Sequence, residues 1–306
     1  MKIKAYIHHK EAEQYCDCQD FFGIDKDVRR IAVSDGMTQS IYPQWWAEIL
    51  VEAYLEKGEF PQDESLKLLQ EKWLHRVHDE IERRKTEGKN YYRLENSIAD
   101  RLGACATLCG FTWSSDEWQC DCLGDSSLIT ITADNSIEIF SSQDGAFDNY
   151  PDYFDSMGQG KGMPKQKTGK LSDYKYILLV SDPFSELFQK NQDAYRLKHL
   201  IDGITSLIDH GSFVKLVETW RSEYSMHNDD STLVVLSEFS KADSVDIEHE
   251  DNLEAHKNQE ANPSTGSPAD AMPQSSEDQG EASSCEMCQT AYYEGYTKNI
   301  RSNQER

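Results

Sequence analysis

Residues 31–40 read IAVSDGMTQS, an apolar run built like a buried strand that leaves its sheet through Asp35 and Gly36. Neither residue belongs in a sheet interior. An Asp-Gly pair is an ordinary turn. A carboxylate at the mouth of a core strand is equally a ligand for a hard cation, provided that other buried strands end in the same way. They do. ILLVSD (177–182) ends in Asp182, and NDDSTLVVL (228–236) sets Asp229 and Asp230 at the entrance to another apolar run. CQDFFGID (18–25) places Asp20 beside a third, and CDCLGDSS (120–127) places Asp125 between two more. Carboxylate oxygens with few histidines suit Mg²⁺ or Mn²⁺ rather than Zn²⁺. Two such ions can clamp a phosphoryl oxygen and activate a bridging water for in-line attack on phosphorus.

The flanking segments alternate in blocks. Short β-rich runs (3–9, 19–25, 28–35) are followed by two helical patterns. The first, over 42–58, has Pro43 early, Trp46, Ile49, Leu50, Ala53 and Tyr54 at helical spacing, and Gly58 as a stop. The second, over 63–88, carries Leu66, Leu69, Trp73, Val77 and Ile81 on one side. Strand patterns return over 103–141, with ADNS (133–136) as a hairpin turn. A weakly patterned stretch (142–173) precedes the strand YKYILLVSD (174–182). Two more helical segments (194–211 and 212–224) and a last strand (231–239) complete the series. This order predicts an α+β domain with sheets packed at its centre. No internal repeat is visible.

The chain has 306 residues, 38% of them hydrophobic, so a sizeable core is within reach. Its 55 acidic and 31 basic residues give a formal charge of −24, which repels nucleic acid and anionic membrane surfaces alike. No signal-peptide pattern or membrane-length apolar run is present, and the expected location is the cytoplasm. Reduced thiols are expected for the cysteines. Cys16 and Cys18, like Cys120 and Cys122, share a strand face and read as core thiols, although a shared zinc is conceivable. Cys285 and Cys288 form half a zinc site. From 240 to 284 the chain is acidic, rich in Ser, Pro, Gly and Gln, and poor in large apolar residues. It reads as a disordered linker. Residues 285–306 regain aromatics (Tyr292, Tyr293, Tyr296) and end basic, as expected of a short docking element for a protein partner.

In order along the chain, QDFFGID, AVSDGM, GACATL, CLGDSS, ILLVSDP and DDSTLVVL resemble the motifs of the metal-dependent type-2C protein phosphatases, with DGM in the bacterial form. The resemblance covers residues 1–239. It implies a four-layer αββα sandwich with two central, mainly antiparallel sheets, and hydrolysis of Ser/Thr phosphate monoesters by a metal-bridging water. No side chain is then the nucleophile. Asp35 would bridge two Mn²⁺ or Mg²⁺ ions, the Gly36 carbonyl would bind one of them, and Asp182 and Asp229 would complete the second. Asp20 would hold metal-bound water, and Asp125 would sit near a third, weaker ion. Asp230 stands where the family usually has Asn, which makes Asp229 the ligand of that pair. The substrate would be a phosphorylated protein.

The departures from the family pattern are specific. The Arg that grips substrate phosphate is missing from EAEQYCDCQD (11–20), which leaves His8, His9 or Lys10 as substitutes on a neighbouring strand. The family's SDG is SDP here, with Pro183 removing a backbone donor. DGMTQS lacks the usual glycine pair, and 142–173 is short for the family's flap. These departures keep a second reading open, a catalytically degenerate phosphatase-fold module that binds or regulates a partner. No phosphate-cradling Gly loop or nucleophile elbow supports an NTPase or a serine hydrolase.

Overall fold

The computed structural model describes residues 1–143, 151–239 and 244–261. They fall into two units, Met1–Glu13 with Cys18–Asp251, and Gln14–Asp17 with the residues from Asn252 onward.

The large unit is built on two sheets. The first contains β1 (Lys2–His8), β7 (Ser127–Ile131), β8 (Ile137–Phe140), β11 (Tyr176–Val180), β12 (Ser231–Ser237) and β13 (Asp246–Glu250), in the order β13-β1-β12-β11-β7-β8. The second contains β2 (Phe21–Asp25), β3 (Arg30–Ser34), β5 (Leu108–Ser114), β6 (Glu117–Leu123) and β10 (Lys165–Lys170), in the order β10-β6-β5-β3-β2. A small ladder pairs β4 (Cys105–Ala106) with β9 (Phe154–Asp155). All pairings are antiparallel except that of β13 with β1.

Strand alternation assigns the faces. Leu178, Val180, Leu233 and Val235 point to a cluster with Phe184, Leu200, Phe213 and Trp220. Those partners come from α4 (Asp182–Lys190), α5 (Ala194–Thr205) and α6 (His210–Glu223), which cover the first sheet. On the second sheet Gly23, Ala32 and Gly110 lie side by side across β2, β3 and β5 beneath α1 (Pro43–Lys57). A Cβ on Gly110 would lie 2.2 Å from the Tyr54 ring, so the glycine lets that helix seat on the sheet. Further out, α1 packs on α2 (Asp63–Glu87), which α3 (Tyr92–Ala99) follows. Between the sheets lie fully buried Ile31, Val33 and Phe111 from one side and Ile177, Leu179, Val234 and Leu236 from the other. This is the αββα sandwich that the motif order implied. Among the described residues, no helix is long and apolar enough to cross a membrane.

The expected disorder from residue 240 requires correction, because 246–250 form a strand. β13 runs parallel to β1, and its composition hid it: every second residue is exposed and acidic. Its half-buried residues are Ile247 and His249, and the His249 ring stacks on Tyr6 at 4.6 Å. Glu248 pairs with Lys2 at 2.7 Å, and the Met1 ammonium donates to the Ser244 carbonyl at 2.7 Å. In the small unit, α7 (Leu253–Ala261) is also helical rather than disordered. There the Tyr15 N–H donates to Glu260 at 2.7 Å, and the Tyr15 ring stacks on His256 at 4.7 Å. The expected linker beyond 261 and the docking element at 285–306 lie outside the described residues.

Candidate metal centre

Asp35 follows β3 directly, in a turn held by Thr107. The Thr107 N–H donates to the Asp35 carbonyl at 2.9 Å, its hydroxyl accepts the Asp35 N–H at 3.2 Å, and its carbonyl accepts from Ser34 Oγ at 2.6 Å. That same hydroxyl lies 2.6 Å from Ser126 Oγ, which ties the Asp35 turn to the turn bearing Asp125. The second turn needs glycine, since Gly124 has φ +99°. Gly36 donates to the Gln19 carbonyl at 3.2 Å, and a Cβ here would come within 2.8 Å of that oxygen and of Pro43. No larger residue fits this turn, and through it Asp35 is fixed next to the segment carrying Asp20.

Asp20 is buried, and its Oδ2 accepts the Thr232 hydroxyl at 2.7 Å. Its Oδ1 is also buried, with no donor in hydrogen-bonding geometry. Asp182 opens α4 behind the extended residue Ser181. Pro183 therefore sits in the first helical turn, where N–H groups have no intrahelical acceptor, so the missing donor does not interrupt the helix. Asp229 Oδ1 accepts the Asp230 N–H at 2.9 Å. Asp230 is used differently, its oxygens accepting the backbone N–H groups of Lys10 (2.9 Å) and Gln19 (2.6 Å). Both of them serve the protein backbone.

The electrostatics show which of these groups share a site. Burial pushes the Asp35 carboxyl well above the usual carboxylate range, and Asp20, Asp182, Asp125 and Asp229 push it further. Burial and Asp230 do the same to Asp20, and burial raises Asp182. Aspartates from four other segments thus act on Asp35, which is itself poorly hydrated. Among the described residues, no three of them bring oxygens within 4.8 Å of one another. The orphaned Asp20 oxygen and the all-carboxylate donor set fit hard divalent cations.

The three candidate phosphate-binding residues separate clearly. His8 is buried, and burial pushes its pKa down to about 3, so it stays neutral. The His9 ring nitrogen Nδ1 lies 2.8 Å from the Lys10 carbonyl. Lys10 Nζ lies 3.8 Å from Asp229 Oδ1 and 3.3 Å from Glu13. Burial opposes its charge, but Asp229, Asp230 and Glu13 outweigh that and keep the ammonium charged. Sequence reasoning missed two neighbours. Arg221 donates to the carbonyls of His9 (3.2 Å) and Asp229 (2.7 Å) and to Ser231 Oγ (3.2 Å). His227 Nδ1 lies 3.9 Å from Asp182, whose carboxylate raises the imidazole pKa. The spacing of His227, two residues before Asp229, was the available signal for the second; Arg221 on a helix gave none.

The two-sheet sandwich with carboxylates at its strand ends has counterparts among known proteins. The family model described as protein phosphatase 2C matches residues 9–220. The chain belongs to the protein phosphatase 2C family. Among solved structures, a bacterial serine phosphatase matches with a TM-score of 0.50 at 13% identity, over 76% of this chain and 96% of its own. The serine/threonine phosphatase Stp1 from Staphylococcus aureus matches with a TM-score of 0.51 at 13% identity, over 77% and 94%. At such identity these likenesses establish the fold. No curated protein matches in sequence.

Proposed function

We propose that the chain is a metal-dependent phosphoprotein phosphatase acting on Ser/Thr phosphate monoesters in the cytoplasm. The observation that carries this reading is the convergence of Asp20, Asp125, Asp182 and Asp229, each at a strand end, on Asp35. In this proposal Asp35, the Gly36 carbonyl, Asp182 and Asp229 would hold two Mn²⁺ or Mg²⁺ ions, Asp20 would act through the surrounding water, and Asp125 would lie near a third, weaker site. When bound, the ions supply charge neutralisation for the phosphate and activation of water. The protein's own part is to hold that geometry: Thr107 locks the Asp35 turn, Thr232 orients Asp20, and Arg221 clamps the Asp229 backbone. Lys10 supplies the positive charge for a phosphate oxygen in place of the absent arginine. The tail beyond residue 284 would serve as a docking element, for a separate protein or for the chain's own domain.

A second reading, a phosphatase fold used for binding or regulation, is favoured by one observation. Arg221 is committed to backbone carbonyls and Lys10 is engaged by Glu13, so each cation near the site already has acidic or carbonyl partners. The purified protein with an aryl phosphate and a phosphothreonine peptide, in Mn²⁺, Mg²⁺ or chelator, separates the two. Turnover that requires the divalent ion supports the phosphatase. Robust turnover in chelator removes the metal mechanism, and none with either ion selects the binding module.

A further inference from the structure

Cys109, Cys120 and Cys122 are each fully buried, and their sulfurs form a nearly equilateral triangle with edges of 3.5, 3.6 and 3.7 Å. Cys109 and Cys122 are direct cross-strand partners on β5 and β6, and Cys120 shares their face two residues along. The face is the one turned toward the other sheet. We propose that these three thiols form a binding site for a thiophilic d¹⁰ metal ion, Zn²⁺ or Cu⁺, separate from the carboxylate centre.

Three features carry the assignment. The first is size. A triangle of these edges puts each sulfur about 2.1 Å from the common centre, so an ion with ordinary zinc–sulfur bonds of about 2.3 Å sits about 1 Å out of the sulfur plane. That is the geometry of a trigonal pyramid, or of a tetrahedron with one further ligand. Among the described residues, no other His, Cys, Asp or Glu joins the group, which suits a three-coordinate soft ion. The Phe140 carbonyl, 3.7 Å from Cys122 Sγ, is an oxygen beside the site.

The second feature is acidity. Burial pushes the Cys109 thiol up, but hydrogen bonds from Cys120 and Cys122 outweigh it and bring the pKa down to about 6. Burial pushes the Cys120 and Cys122 thiols well above the usual range, and ion binding releases the thiol protons to solvent. The third is charge. Three thiolates around Zn²⁺ leave one negative charge, and around Cu⁺ two. On the neighbouring strand β10, Lys165 and Lys167 stand directly opposite Cys122 and Cys120, on the same face of the sheet. This places two lysines beside the triad in the sheet, of which Lys167 is also ion-paired with Glu138.

With all three sulfurs inaccessible in the folded chain, the ion enters during folding. The test therefore refolds the full chain under reducing conditions, with C285S and C288S removing the tail's own thiol pair. Cd²⁺ serves as the spectroscopic probe, because its thiolate complexes give a charge-transfer absorption that carboxylate-bound Cd²⁺ lacks. The expected result is one thiolate-bound Cd²⁺ per chain, displaced by Zn²⁺ or Cu⁺, and lost in C109A/C120A/C122A. The concentrations at which the two ions displace it rank the site's preference between them. Absence of the band in the refolded C285S/C288S chain overturns the proposal without requiring any triad variant to fold. A band that persists in C109A/C120A/C122A overturns it as well.

Discussion

The carboxylate of Asp230 accepts the backbone N–H of Gln19 at 2.6 Å and that of Lys10 at 2.9 Å, joining chain segments more than two hundred positions apart. Its neighbour Asp229 faces the carboxylate cluster instead. Two adjacent aspartates thus divide the work, one holding backbone and the other available to a cation. Asp230→Ala strands two backbone donors and should lower unfolding free energy by about 1–3 kcal/mol. Asp229→Ala removes the acceptor of one N–H rather than two, so it should cost less stability, and it should raise the metal concentration needed for half-maximal turnover. Chemical denaturation and metal titration of both variants check the division; equal effects on both measurements would contradict it.

Asp35 lies in the field of four other carboxylates. Asp35→Asn keeps the shape and removes a charge, so two opposite changes should accompany each other. Turnover with Mn²⁺ or Mg²⁺ should fall by about a hundredfold or more if Asp35 is a metal ligand as proposed. The thermal midpoint in chelator should rise, because a buried like-charge repulsion is relieved. Calorimetry in chelator reads the second effect without reference to activity.

Lys10 is the permanently charged member of the candidate phosphate-binding set. Lys10→Met should reduce kcat/KM on a phosphopeptide by about tenfold or more, and Lys10→Arg should recover part of the loss. Because Lys10 also touches Asp229 and Glu13, metal affinity must be measured alongside; a change in metal affinity with kcat/KM unaltered at saturating metal would assign Lys10 to the cage instead.

His8 is held neutral by burial, with a pKa of about 3 against 6.5 for the free side chain. Between those values the unfolded chain binds a proton that the folded chain refuses. Stability therefore falls as pH drops below about 6.5, by at most about 1.4 kcal/mol per pH unit. Above 6.5 His8 contributes no slope. His8→Gln should flatten this acid limb. Denaturation midpoints from pH 4 to about 7.5 for the two proteins test it, and parallel curves would show that other groups set the limb.

Much of this was legible in the sequence where a residue's chemistry clashed with its local pattern. Asp35, Asp182 and Asp125 stood out because carboxylates end apolar strands, and their order along the chain carried the fold. The ion-binding side of Asp229 and the backbone role of Asp230 could be separated only weakly, since both are aspartates at one strand mouth. Arg221 was invisible because its function is to bind carbonyls, which leave no pattern. β13 was missed for a related reason: its stability comes from pairing with β1 and from Glu248 with Lys2, both contacts to the opposite end of the chain. The thiol triad needed the register of β5 and β6, which places Cys109 opposite Cys122.

The parallel pairing of β13 with β1 has a consequence for how the molecule meets other copies of itself. β1 carries a ladder of backbone donors and acceptors along the side away from β12, and a bare edge of that kind recruits strands from other chains. β13 occupies it and exposes Asp246, Glu250 and the Lys2-paired Glu248, so the border of the sheet is charged. The acidic segment after residue 239 thus acts as a selvedge: a chain cut at that point would keep its candidate metal centre and lose its protection against edge-to-edge association.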